Sequence, residues 1–246
     1  MKNFIIYVQP QKKELELMEK EYSVDELKNF PGTSQFEELE LVRNGRLKII
    51  KEIEPHRIFQ FSCEFLIKLV AATKPVSAQL SFELWQRKHG PIVATFEGRR
   101  KASKVAVALL SLLLYADPFA INPIKLAVSD FRNLKTNILL KHSGTLSQIF
   151  LRNVRSQKGK INRFLMTGSG LEQFLNVDEL LDSASSVSGM GFAIPSFRGE
   201  RRFSFRIKDW GGGQIYSPAN PLVHEVSSLL ELLEEVFFSN MYKTTT

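Results

Sequence analysis

The side chains with most scope for chemistry are cations interleaved with aromatic rings, and they fall in three groups. Trp85, Arg87, Lys88, Arg99, Arg100, Lys101 and Lys104 form the first. Arg152, Arg155, Lys158, Lys160 and Arg163 form the second. Arg198, Arg201, Arg202, Arg206, Lys208 and Trp210 form the third. Lys and Arg pair with phosphates and planar rings stack on bases, so a strand face that carries both suits single-stranded nucleic acid. The competing reading is a solvated sheet face whose tryptophans belong to the core.

Charge is concentrated where these groups begin. The formal net charge is +7, but residues 1–54 sum to −2, residues 68–160 to +12 and residues 161–246 to −3. A positive field of that size attracts polyanions and raises encounter rates.

Other chemistries find little support. The four histidines, His56, His89, His142 and His224, have no HxxxH or HExxH spacing and no Cys partner, so no metal site is expected. The single cysteine, Cys63, lies in the apolar run IFQFSCEFLIKL and reads as a small buried hydrophobe. One cysteine also excludes an internal disulfide framework. Asp178, Glu179 and Asp182 share a helix and read as solvated. Gly168-Ser169-Gly170 precedes a helix but lacks the phosphate-loop spacing, so it reads as a turn. No cofactor is expected.

The elements that must position the cations follow from periodicity. NFIIYV at 3–8 reads as a buried strand, and QKKELELMEKEY as a short helix after Pro10. Residues 23–40 are polar and acidic. Leu41 to Ile53 reads as two short strands about an Asn44-Gly45 turn, and His56 to Leu69 as one long strand. Leu80 to Phe96 is a hairpin turning at Lys88 to Pro91, followed by an apolar helix over 103–115. Pro123 to Phe131 is predicted to hold a strand, Ser147 to Thr167 a hairpin turning at Lys158-Gly159, and Leu171 to Ser185 a helix starting at Asp178. A strand over Gly189–Phe197 comes before Phe203 to Trp210, which alternates, with Phe203, Phe205 and Ile207 inward and Ser204, Arg206 and Lys208 outward. Gly211 to Gly213 turns the chain, and Asn220-Pro221 opens a helix that runs to Phe238.

Shifted by 123 residues without a gap, residues 80–115 lie over 203–238 with six identities, among them Gly90 on Gly213 and Leu109 on Leu232. The expected fold is therefore α+β: antiparallel sheets, each followed by a packed helix, duplicated as 1–123 and 124–246 about a pseudo-two-fold. In topology alone this resembles the sheet-and-helix architecture of the Whirly and PUR-type single-strand-binding proteins. The +12 central region and the basic hairpins point to a protein that binds nucleic acid, single-stranded DNA or RNA favoured, without catalysis. Two other functions are compatible with the chain. One is a nucleic-acid-processing enzyme of the endoribonuclease type with His56 as base. The other is an interaction protein that oligomerises through its acidic N-terminal region. No apolar run approaches the roughly 20 residues that span a bilayer, and no secretory leader is visible, so a soluble intracellular protein of cytoplasm, nucleoid or nucleus is expected, without a membrane partner.

Overall fold

Alternating apolar residues build the strands, and the fold is α+β as the sequence predicts. The computed structural model describes residues 1–10, 21–33, 36–67, 75–156, 159–195, 202–216 and 223–238. The predicted helix after Pro10 falls mostly outside these residues, as do Lys158, Arg198, Arg201 and the Asn220-Pro221 helix start. Contacts divide the chain into two units, Phe4–Pro123 and Met1–Asn3 with Ile124–Thr246.

In the first unit the strands run in the order β2 (Glu21–Ser23), β3 (Val42–Ile53), β4 (His56–Ile67), β5 (Val76–Arg87), β6 (Ile92–Phe96) and β1 (Lys2–Val8), all antiparallel. The short β7 (Asn122–Pro123) pairs with β1. Phe59 lies opposite Leu84 and Phe61 opposite Phe82, and all four are buried. Such cross-strand apolar pairs are the main source of sheet stability.

Two helices belong to this unit. The short α1 (Val24–Lys28) has Ser23 as N-cap in a capping box with Glu26. The longer α2 (Arg100–Tyr115) packs against α1 and β3. Ten of its 16 residues are buried, so it is apolar on most sides, as its composition requires.

Asn44-Gly45 does not turn the chain: β3 is one 12-residue strand with a register shift between Arg43 and Arg46. Asn44 has φ 51°, and a Cβ on Gly45 would fall 2.4 Å from Val24 Cγ2. A bulge and a tight hairpin turn ask for the same residue types, which is why the dipeptide misleads.

In the second unit the order is β12 (Gly212–Tyr216), β11 (Phe203–Lys208), β10 (Ala184–Ile194), β8 (Thr145–Ser156) and β9 (Gly159–Thr167). The β8–β9 hairpin and the inward set Phe203, Phe205 and Ile207 are as predicted. Its helices are α3 (Val128–Lys141), α4 (Val177–Ser183) and α5 (Val223–Phe238). The strand expected at 123–131 is absent; this segment leads into α3. Phe131, Leu134, Lys135 and Ile138 are buried at helical spacing, and the Asp130 carboxylate accepts the Ala127 N–H at 2.7 Å. The turn after β11 is made by Asp209 to Gly211, so Gly212 and Gly213 open β12 instead of forming the turn. Among the described residues no helix is long and apolar enough to cross a membrane.

Candidate nucleic-acid interface

In the second unit the middle strand β10 carries glycine, without a side chain, at positions 189 and 191. Gly191 lies opposite Arg206 on β11 and Gln148 on β8, and Gly189 lies opposite Lys208 and Phe150. Both glycines have structural reasons to be there. A Cβ on Gly189 would sit 2.9 Å from the Ile207 carbonyl oxygen, and one on Gly191 3.0 Å from Gln148 Cβ. The consequence is a trough of about 300 Å³, floored by backbone and walled by side chains of β8 and β11.

The walls are basic and aromatic. Arg206 and Lys208 stand on β11; Gln148, Phe150 and Arg152 stand on β8. Trp210 lies at one end, with Lys208 Nζ 5.7 Å from its ring centre. Its ring rests on Gly212, where an added Cβ would come 1.9 Å from Cη2. Arg206 donates through Nη2 to Gln214, whose amide in turn donates to Asn3 at 2.8 Å. Asp209 is the one carboxylate among the lining residues.

Beyond Arg152 the β8–β9 ribbon sets like charges directly opposite one another. Arg152 faces Arg163, and Arg155 faces Lys160. All four are exposed. Opposed like charges weaken a strand pair, so the ribbon holds a charge arrangement that an anion would relieve.

The cations of the first unit are placed differently. Lys88 is held by two carboxylates, Glu52 at 2.8 Å and Glu54 at 2.7 Å, and those hydrogen bonds raise its pKa. Lys104 pairs with Glu38 at 2.6 Å. Arg87 is half-buried at the end of β5, paired in register with His56. Arg99, Arg100 and Lys101 are exposed at the start of α2, whose first turn has no acidic residue, so three cations meet the positive end of the helix dipole. Arg202, just before β11, is also exposed.

Trp85 is buried, 2 % exposed, with its indole N–H donated to Glu83 at 3.0 Å and its ring against Phe96. It therefore offers no face for stacking. The alternation of β5 places it outward, but the end of this strand and all of β6 are covered on both faces.

His56 is 1 % exposed beside Trp85, which leaves no route from its ring to a phosphodiester. Burial, and next the Arg87 guanidinium, lower its pKa from 6.5 to about 4. Above pH 6.5 the ring is neutral folded or unfolded. As pH falls through that value only the unfolded chain takes up the proton, so stability is lost progressively down to about pH 4. Denaturant unfolding at neutral and acid pH should show up to about 2–3 kcal/mol of this loss, and His56→Gln should remove that part of the slope. Cys63 is likewise buried, which pushes its thiol up to about 11. No group of three His, Cys, Asp or Glu is placed to hold a metal ion among the described residues.

Sequence reasoning named Arg152, Arg163, Arg206 and Lys208, and the structure gathers three of them around one trough with Arg163 beside it. It passed over Ser188, Gly189, Gly191, Gln148 and Phe150. The available signal was the run SSVSGMG within a strand, since small residues there mark a bulge or a close approach. No protein-family model matches the chain, and no curated protein matches it.

Proposed function

We propose that this protein binds nucleic acid, with single strands favoured, through the open sheet face of its second unit. The observation that carries this reading is Arg152 opposite Arg163 at the basic, aromatic trough, with Arg155 opposite Lys160 farther along the same ribbon, beside α4. None of these four cations has an ion-pair partner among the described residues. Phosphates supply the missing counter-charge, and Phe150 and Trp210 supply rings on which bases stack. The exposed Arg99, Arg100 and Lys101 form a second cationic patch in the other unit.

Salt dependence tests the reading. If Arg152, Arg163, Arg206 and Lys208 each neutralise a phosphate, log affinity for a single strand falls against log salt with a slope of about −3. Arg152→Ala with Arg163→Ala should reduce that slope to about −1.5 while leaving the melting temperature unchanged or raised. An Arg99/Arg100/Lys101 triple alanine variant measures the share of the α2 patch. Affinity that ignores both salt and these substitutions would remove the proposal.

The two units are also proposed as copies of one hairpin-and-helix element. In support, the offset at which the sequences align sets Leu109 and Leu110 of α2 over Leu232 and Leu233 of α5, and all four are buried. Against it, the turn at Asp209 to Gly211 comes earlier than that offset would put it.

A further inference from the structure

We infer that the trough is a nucleotide pocket, which accepts one unpaired base together with an adjoining phosphate. This rests on the nucleic-acid reading and makes it more specific. The trough is two strand spacings wide, about 9.6 Å between the backbones of β8 and β11, because the strand between them carries no side chain at Gly189 and Gly191. That width admits a base edge-on between the two walls. It does not admit a duplex, whose bases must first be flipped out.

The walls match the chemistry of a nucleotide. Phe150 and Trp210 line the trough with aromatic rings for the base, and Arg152 and Lys208 line it with charge for its phosphate. Two polar groups then stand without partners. Ser188 lines the trough, is 5 % exposed, and its Oγ has no hydrogen-bond partner among the described residues. Arg206 Nε, also buried, has none either. Buried polar atoms in native proteins are nearly always satisfied, and a base edge carries both donors and acceptors. The Ser188 hydroxyl can answer either kind, and so can the Gln148 amide. Ser188 sits where the register of β10 against β8 shifts between Val187 and Gly189, so the bulge re-aims this residue.

The nucleotide can come from a strand or from the free pool, and the arms of one experiment separate them. AMP, adenosine and inorganic phosphate are titrated against the whole protein by calorimetry, with quenching of Trp210 as a second readout and Trp210→Phe as its blank. Oligo(dA) is compared with a strand of the same length that lacks bases. AMP should bind at least about tenfold tighter than adenosine or phosphate, and oligo(dA) at least about tenfold tighter than the abasic strand. Ser188→Ala should weaken AMP about fivefold with no loss of melting temperature, since it deletes a hydroxyl that no described residue bonds. Phe150→Ala, at a half-exposed site, should weaken it also.

Abasic and base-bearing strands that bind alike, with salt dependence intact, would overturn the pocket and leave nucleic-acid binding standing. AMP that binds no better than phosphate would overturn it too. AMP binding with neither strand bound would support the pocket, make the free nucleotide its ligand and remove the nucleic-acid reading.

Discussion

Phe205→Ala is expected to cost about 3–5 kcal/mol, the usual range for emptying a buried phenylalanine site. Phe205 is fully buried at the centre of β11, with its ring 5.7 Å from Phe192 and 6.0 Å from Phe203. Its neighbours lie on two strands held in register by the ladder, so they cannot collapse into the vacated space without breaking it. The loss should lower the melting temperature by roughly 10 °C. Leu165→Ala is the matching control. Leu165 is as apolar, but it is 59 % exposed at the rim of the trough, and its change should stay within about 0.5 kcal/mol. Calorimetry of the two variants decides the matter. A cost under about 1 kcal/mol for Phe205→Ala would mean that its ring is not close-packed in the core.

The same strand shows what a sequence displays and what it hides. Alternation is local, so Phe203, Phe205 and Ile207 against Ser204, Arg206 and Lys208 could be sorted to two faces by period alone. What lies beside β11 is not local. Gly189 and Gly191 read as weak strand residues, and they become the floor of a trough only once β8 and β11 are known to flank β10. Pairing hid other features for the same reason. Lys88 and Lys104 are indistinguishable in sequence from Arg99 to Lys101, but their carboxylate partners stand 34 and 66 positions away. Trp85 failed differently: alternation reports two faces and says nothing of whether the second is covered. Helix α3 becomes legible only when Leu134 and Ile138 are taken with Phe131, since together they complete the helical spacing.

Reversing the β11 wall, with Arg206→Glu and Lys208→Glu together, should abolish most binding while leaving the fold intact. Both side chains are on the open face and only half-buried. Their backbone pairing with Gly191, Gly189 and β12 does not depend on side-chain charge. Arg206 does lose its bond to Gln214, a polar contact near the edge of the unit, and Lys208 its place over Trp210. Binding changes far more. If the wall binds phosphate as proposed, two charge-assisted contacts of about 2 kcal/mol each disappear, and two carboxylates repel any phosphate at Arg152. Affinity at low salt should fall about a thousandfold. The deficit should shrink as salt rises, because added ions screen the new repulsion over about 10 Å at 0.1 M. Arg206→Gln with Lys208→Gln should fall between wild type and the reversal, separating lost attraction from added repulsion. Lys88→Ala is the contrasting case: its charge is already answered by Glu52 and Glu54, so binding should not move. A reversal variant within threefold of wild type would show that nothing anionic lies along β11, and the ligand would have to be sought at the α2 patch instead.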